Sequence, residues 1–155
     1  KTFEDGILFW MDGDMVCHSE ITLDFILSKC PSDIDTGFLG RTDKFTECGL
    51  IYFNLDSKRC HLFITELEKY WKTGRIFDLQ EWHDAYIFDY VRYQQDNLKE
   101  FDWSKGLITG EGHPLINSEW GAYLDHVKGD RKISKKSWPD DLIIKRDESY
   151  WNKDS

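Results

Sequence analysis

Residues 7–14 read Ile7-Leu8-Phe9-Trp10-Met11-Asp12-Gly13-Asp14, an apolar run that ends in two carboxylates. The apolar part predicts a β-strand that is buried on both faces of a mostly parallel sheet. In open α/β sheets, ligands bind beyond the carboxyl ends of the strands, so Asp12 and Asp14 stand where a site is expected. Carboxylates at such a position suit a hard divalent cation, Mg²⁺ or Mn²⁺. A solvated turn after a strand can have the same Asp-x-Asp pattern, so this motif alone does not establish a metal site.

The composition is that of one folded, acidic domain. With 155 residues, 40% of them hydrophobic and 15% aromatic, the chain can build a core and is not a disordered segment. Its net charge of -9 argues against general nucleic-acid binding, because contacts with the phosphate backbone require positive charge. Basic residues gather late in the chain, where a local anion site and a solvated surface are both consistent with the charges.

The cysteines and the absence of targeting signals predict the compartment. Cys17, Cys30, Cys48 and Cys60 lack Cys-x-x-Cys spacing, which argues against a zinc site made of thiolates. The sequence has neither a leading apolar segment nor a run of transmembrane length. We therefore expect a cytoplasmic protein with four reduced thiols and no membrane span.

Apolar spacing and turn residues predict helices that alternate with strands. The predicted helices cover residues 22–30, about 60–71 and 84–95, and the predicted strands cover 37–41 and 50–55. Asp56 or Ser57 would cap the second helix, which Gly74 would end. Asn117 would cap a brief helix that carries His126 to its place.

The second motif is His126-x-x-Gly129-x-x-Lys132. An imidazole is a better ligand for Mn²⁺ than for Mg²⁺, and glycine lets main-chain amides approach phosphate oxygens. Lysine adds a positive point charge. A helix end with chance basic residues would look similar, but the two motifs in this order favour a site for a metal ion and two linked phosphates.

In this arrangement the sequence resembles the retaining glycosyltransferases of family 8 and their relatives with the GT-A fold. The resemblance implies a Rossmann-like α/β fold with a mixed, mostly parallel sheet and flanking helices. It also implies that Asp12, Asp14 and His126 bind manganese or magnesium. The diphosphate of a nucleotide-sugar donor, most simply a UDP-sugar, would then contact Gly129, Lys132 and the neighbouring Lys128.

Two further segments carry the resemblance. Residues 47–55 look like the segment that lines the donor sugar in this family, which implies a catalytic role for Asn54. Trp82-His83-Asp84 resembles a motif whose aspartate contacts the transferred sugar, and residues 40–90 also look like glycosyltransferase-like proteins of bacteriophages and bacteria. Each residue has a structural alternative: Asn54 and Asp84 could cap helices, His83 could be structural, and Glu47 could be a surface charge instead of an acid near the reaction centre.

The family's N-terminal strands and helices, which hold the nucleotide base, have no counterpart before Asp12. We therefore expect residues 1–132 to be the metal- and sugar-binding part of a larger GT-A-like domain, followed by a charged tail over residues 133–155. An upstream half or a second chain would supply the rest.

The expected activity is metal-dependent sugar transfer to a hydroxyl acceptor with retention of configuration. Two alternatives stay open. The chain could be a non-catalytic fragment or binding subunit, or a glycoside hydrolase that uses two of its 29 acidic residues.

Overall fold

The computed structural model of the protein describes residues 5–107 and 112–152. A four-stranded sheet contains β1 (Ile7–Met11), β3 (Thr36–Leu39), β4 (Glu47–Asn54) and β5 (Glu100–Asp102) in the order β1-β4-β3-β5. A second sheet pairs β2 (Met15–Cys17) with β6 (Leu124–His126). Helices flank the larger sheet, so the prediction of a mixed α/β fold is confirmed at this level.

Three of the helices lie close to the predicted helices at residues 22–30, about 60–71 and 84–95. The α-helices are α1 (Leu23–Lys29), α2 (Lys58–Lys72), α3 (Asp84–Arg92), α4 (Pro114–Asn117), α5 (Arg131–Ser134) and α6 (Ser149–Asn152). Short 3₁₀ helices cover Arg75–Asp78, Glu119–Ala122 and Pro139–Asp141. Ser57 caps α2 by accepting the amide of Cys60, and Gly74 follows the helix with a φ of 71°. Within the described ranges, no helix has the length and apolarity needed to cross a bilayer.

The expectation of mostly parallel pairing is wrong for the described sheet. Both β1 and β3 pair with β4 in the antiparallel direction, and only the β3–β5 pair is parallel. Strand β1 is an edge strand that leaves Trp10 56% and Met11 45% exposed, so it is not buried on both faces. An apolar run carries no information about the direction of its partner, and aromatic side chains are as common on half-buried strands as on buried ones.

Strand β4 lies between two separate hydrophobic cores, because its two faces pack against different sets of residues. Ile51 packs on one face with residues of α2 and α3, such as Phe63 and Phe88. Leu50 packs on the other face with Leu115 and with residues around α4 and β6. The start of β4 is therefore enclosed by both layers, and polar side chains placed there are shielded from water.

His126 reaches its position on strand β6 and not at the end of a helix. Asn117 closes α4 instead of capping a new helix, and its side-chain amide donates to the carbonyls of His113 and Asp141. Ser118 caps the following 3₁₀ helix. The prediction for Asn117 is wrong because Asn117 and the adjacent Ser118 both fit the capping pattern, and the sequence does not show which of them caps a helix.

The segment after Lys132 packs against the rest of the protein over its described part. Asp125, which is fully buried, accepts hydrogen bonds from the backbone and hydroxyl of Ser137 and from the hydroxyl of Tyr150. Arg146 donates to the carbonyl of Ile116 at 2.9 Å. Residues 137–150 therefore supply hydrogen bonds to the core beneath β6.

Candidate metal centre

The pairing of strands brings the two sequence motifs together. Strand β1 ends beside the start of β4, and the amide of Asp12 donates to the carbonyl of Gly49 at 3.0 Å. In the small sheet Met15 pairs with His126, and the amide of Val127 donates to the carbonyl of Asp14 at 3.1 Å. Main-chain hydrogen bonds alone therefore hold the two motifs next to each other.

Asp12, Asp14, His126 and Lys132 form one polar cluster. Nε2 of the fully buried His126 lies 2.9 Å from Oδ1 of Asp14 and 3.7 Å from Oδ2 of Asp12. Nζ of Lys132 lies 3.1 Å from Oδ2 of Asp14. The carboxylates and Lys132 line an open cavity of about 580 Å³ together with Gly13 and Val127.

The charges around Asp14 keep it ionised. Burial pushes the pKa of Asp14 upward, but the hydrogen bond from Lys132 and the nearby His126 ring outweigh it, so this pKa lies below its ordinary value. An ionised carboxylate is the form that binds a metal ion.

The donor set fits a hard to intermediate divalent cation. One oxygen from each of Asp12 and Asp14 and one nitrogen of His126 lie within 4.8 Å of one another. Two carboxylates suit Mg²⁺ and Mn²⁺ alike, and the imidazole shifts the preference toward Mn²⁺. The remaining positions around such an ion would face the open cavity, where substrate oxygens could enter.

Glu47 is a buried partner of this cluster, so its interpretation as a surface charge is wrong. It is 3% exposed, with Oε1 at 3.5 Å from Nδ1 of His126 and Oε2 at 3.0 Å from Nη2 of Arg41. Burial raises the pKa of Glu47, but the rings of His113 and His126 and the Arg41 guanidinium together hold it below its ordinary value. Glu47 therefore places a negative charge behind the His126 ring.

Gly49 allows the His126 ring to approach β4. A β-carbon at this position would lie 2.7 Å from Cε1 and 2.9 Å from Nδ1 of His126. Contacts this short do not occur in folded proteins, so a side chain at Gly49 would force the buried ring to move. The glycine of the Glu-Cys-Gly segment thus has a packing role at the site.

His113 belongs to the same cluster, and the sequence analysis missed it. It directly precedes Pro114 at the start of α4, and its ring centroid lies 5.1 Å from that of His126. Its Nε2 lies 3.7 Å from Oε2 of Glu47. Burial lowers the pKa of His113 to about 4. A lone histidine before a proline carries no chemical signature, so only the fold could reveal it.

Trp82, His83 and Asp84 lie at the end of the sheet where β4 begins. The ring of His83 packs 5.3 Å from that of Phe45, which precedes β4. His83, and not Asp84, caps α3, because its Nδ1 accepts the amide of Tyr86. Asp84 is exposed and one of its oxygens accepts the amide of Ala85. Asp84 thus follows a histidine that packs against Phe45, two positions before Glu47 in the chain.

The structure does not bring Asn54 to the cluster. It ends β4, while Glu47 begins it, so a rise of about 3.3 Å per residue separates the two by roughly 23 Å. The side-chain amide of Asn54 donates to the carbonyls of Ser32 and Ile34. These bonds attach the loop before β3 to the end of β4, a structural role.

The three phosphate-binding candidates do not share one surface. Lys132 faces the Asp12–Asp14 cavity, and Gly129 turns the chain toward it with a φ of 63°, a conformation that favours glycine. Lys128 instead lines a second cavity of about 290 Å³ together with Glu47 and His113. Lys132 pairs its ammonium group with Asp14, whereas Lys128 contacts a predicted metal ligand through its backbone, by a hydrogen bond from its amide to the carbonyl of His126.

Comparisons of the chain with protein-family models, with curated proteins and with solved structures found no match.

Proposed function

We propose that this protein is a metal-dependent glycosyltransferase that moves a sugar from a nucleoside diphosphate sugar to a hydroxyl acceptor. One observation carries the proposal. Asp12, Asp14, His126 and Lys132 come from distant parts of the chain and meet at one open cavity. Two carboxylates, an imidazole and an adjacent ammonium group are the components required for a cation and a diphosphate.

The side chains of the cluster would stabilise the negative charge of the leaving diphosphate. A bound Mn²⁺ would neutralise charge on the departing phosphate oxygens, with Asp12, Asp14 and His126 as its ligands. Lys132 is 60% exposed, so its ammonium group can turn from Asp14 to a phosphate oxygen when the donor binds. The positive charge then stabilises the same developing negative charge, which is the usual source of the largest catalytic effect.

The backbone at Gly129 supports the same step. The left-handed turn there leaves open space beside Lys132, because a β-carbon at Gly129 would meet no atom within 4 Å. The amide of Lys132 donates to the carbonyl of Gly129, so the Lys132 side chain is the donor that would hold the diphosphate relative to the carboxylates.

Asp84 is the candidate for orienting the donor sugar. It is exposed at the end of the sheet where β4 begins, so its carboxylate can accept hydrogen bonds from sugar hydroxyls. With retention of configuration, the departing phosphate assists attack on the same face of the sugar, and the reaction needs no dedicated protein base. Asp84 would then act by positioning, as binding groups that hold reactants in register commonly do.

The decisive experiment measures metal and nucleotide binding in matched variants. Binding of UDP would be followed by calorimetry with and without Mn²⁺, and Mn²⁺ binding by electron paramagnetic resonance. Asp12→Asn and Asp14→Asn should abolish metal-dependent UDP binding while leaving the circular dichroism spectrum unchanged. Asp96→Asn, at an exposed aspartate far from the cluster in the sequence, is the control and should behave as wild type.

Two results would overturn the proposal. One is unchanged Mn²⁺ binding in both Asp12→Asn and Asp14→Asn. The other is cleavage of simple aryl glycosides in the presence of EDTA, which would indicate a hydrolase with two acids instead.

A further inference from the structure

Three buried imidazole nitrogens meet behind the Asp12–Asp14 cavity without a hydrogen-bond partner among the described residues. They are Nδ1 and Nε2 of His113 and Nδ1 of His126. Buried polar groups in folded proteins are almost always satisfied, so a cluster of orphaned nitrogens calls for a bound water molecule or ion. Both rings are largely shielded from solvent, with side-chain exposures of 10% for His113 and 0% for His126.

The Glu47 carboxylate lies against both rings at a distance that fits a shared ion. Oε1 of Glu47 is 3.5 Å from Nδ1 of His126, and Oε2 is 3.7 Å from Nε2 of His113. Ligand atoms about 2.1 Å from a tetrahedral zinc ion are themselves about 3.4 Å apart. Both Glu47–histidine distances are close to this spacing, and one ligand atom from each of the three side chains lies within 4.8 Å of the others.

The other nitrogen of His126 supports this arrangement. Nε2 lies at hydrogen-bond distance, 2.9 Å, from Oδ1 of Asp14. A proton on Nε2 that is donated to Asp14 leaves the lone pair on Nδ1, which lies toward Glu47. Metal-bound histidines commonly donate their second ring nitrogen to a carboxylate in this way, which fixes the tautomer and the ring orientation.

We propose that Glu47, His113 and His126 form an inner site for a divalent transition metal ion, with zinc as the best match to two imidazoles and one carboxylate. Asp14 would be the carboxylate that orients His126 from outside the site. Glu47 and His113 also line the cavity of about 290 Å³, through which the ion could enter and a water molecule could complete its coordination.

The positively charged side chains that line this cavity do not prevent a metal ion from binding at the inner site. Arg131 is paired with Asp141, whereas Arg41 would share the Glu47 carboxylate with the ion, and Lys44 and Lys128 also line the cavity. Imidazole ligands bind zinc through lone pairs and need no negative charge, whereas an alkaline-earth ion would find too few oxygens here. The inner site is therefore selective for ions that accept nitrogen ligands.

The inner site would compete with the outer one through a single ring. The outer cation of the proposed function needs the lone pair of His126 on Nε2, while the inner ion needs it on Nδ1. A neutral imidazole has only one such lone pair. Zinc in the inner site would thus weaken binding of Mn²⁺ at Asp12 and Asp14, and this consequence rests on the proposed function.

The test compares Zn²⁺ binding in two variants by calorimetry, with Co²⁺ absorption as a probe of tetrahedral coordination. His113→Gln removes an inner ligand that does not contact Asp12 or Asp14. We expect it to weaken Zn²⁺ binding by at least about tenfold, in line with losses at metal sites. Asp12→Asn removes an outer ligand and should leave Zn²⁺ affinity within about twofold of wild type, since Glu47, His113 and His126 remain.

A measurement on the wild-type protein needs no variant to fold. In ¹⁵N spectra of histidine-labelled protein with Zn²⁺, we expect the metal on Nδ1 of His126 and a proton on Nε2. Metal on Nε2, Zn²⁺ affinity that follows Asp12 instead of His113, or no Zn²⁺ binding at micromolar concentrations would each overturn the inner site.

The same samples separate this inference from the proposed function. Mn²⁺ binding that is lost in Asp12→Asn but kept in His113→Gln supports the outer site whatever the zinc result. With an inner site present, added Zn²⁺ should reduce Mn²⁺ binding to the wild type at a lower Zn²⁺ concentration than in His113→Gln, where Zn²⁺ can act only by direct competition at Asp12 and Asp14.

Discussion

Asp14 and His126 are 112 positions apart in the sequence, yet Oδ1 of Asp14 lies 2.9 Å from Nε2 of His126. The contact follows from strand register, because Met15 pairs with His126 and the amide of Val127 donates to Asp14. The carboxylate and the ring are therefore held by the backbone of two strands, and each can be changed without removing the scaffold that positions the other.

Substitution of Gly49 should damage the site through sterics. In Gly49→Ala the new methyl group would lie 2.7 Å from Cε1 of His126, and the ring is fully buried. We expect a loss of about 1–3 kcal/mol in the free energy of unfolding, which is typical of overpacking, and weaker Mn²⁺ binding. Urea denaturation and electron paramagnetic resonance measure the two effects.

Gly13 provides the matched control for this experiment. A β-carbon at Gly13 would meet no atom within 4 Å, although the residue stands between the two carboxylates. Gly13→Ala should therefore unfold at the same urea concentration as wild type. Equal destabilisation by both substitutions would mean that the contact with His126 is not the cause.

His113 should make stability fall in mild acid. The pKa of His113 is about 4 in the folded protein because of burial, whereas in an unfolded chain a histidine has an ordinary pKa of about 6.5. The unfolded state therefore binds more protons between these values, and the free energy of unfolding decreases as the pH falls through this window. From pH 7 to pH 5 the expected loss from this residue is about 2 kcal/mol.

Urea denaturation at the two pH values in wild type and His113→Gln isolates this contribution. The variant should lose about 2 kcal/mol less than wild type on acidification. A pH dependence that is identical in His113→Gln and wild type would show that His113 does not titrate as a buried group.

The sequence predicted those parts of the fold that depend on local signals. The helices around Phe25, Phe63 and Phe88 follow apolar spacing and capping residues, and each lies close to its expected position. Strand direction was mispredicted because pairing depends on partners distant in the chain, and β1 finds its partner in β4.

The site, like the fold, was predictable where local sequence motifs carry the information. Asp12, Asp14, His126 and Lys132 stand in motifs whose spacing has a chemical meaning, and the structure brings them together. The sequence left Glu47 open between a surface charge and an acid near the reaction centre, and it carried no signal for His113; the role of both depends on burial against His126. Asn54 was named through resemblance alone, and the length of β4 separates it from the cluster. Motif spacing therefore indicates the ligands of a site, while their buried neighbours emerge only from packing.

The segment after Lys132 should be required for folding. Asp125 is fully buried, and Ser137 and Tyr150 donate three hydrogen bonds to it. A chain truncated after Lys132 would leave this carboxylate buried without those donors, which is among the most destabilising changes known. We expect the truncated chain to lack a cooperative thermal transition by circular dichroism.

A milder change tests the same contact within the intact chain. Tyr150→Phe removes one donor and should cost about 1.5–3 kcal/mol, the usual value for a hydrogen bond to a charged group. Trp138→Phe, at a half-exposed side chain of the same segment, should cost less. A truncated chain with a wild-type transition would show that residues 133–155 are dispensable for folding.

Lys132 and Lys128 should differ sharply in their effect on donor binding. Nζ of Lys132 lies 3.1 Å from Asp14 at the cavity of the predicted metal ligands, whereas Lys128 lines the other cavity with Glu47 and His113. Lys132→Met keeps the length of the side chain and removes its charge. We expect UDP binding in the presence of Mn²⁺ to weaken by roughly 10- to 100-fold, because a hydrogen bond to a charged phosphate contributes about 1.5–3 kcal/mol.

Lys128→Met removes the same charge four positions earlier and should change UDP affinity less than about threefold, by long-range attraction alone. Calorimetry with UDP and Mn²⁺ on both variants measures the difference. If Lys128→Met weakened binding as much as Lys132→Met, the diphosphate would extend into the cavity beside His113, and the two cavities would act as one site.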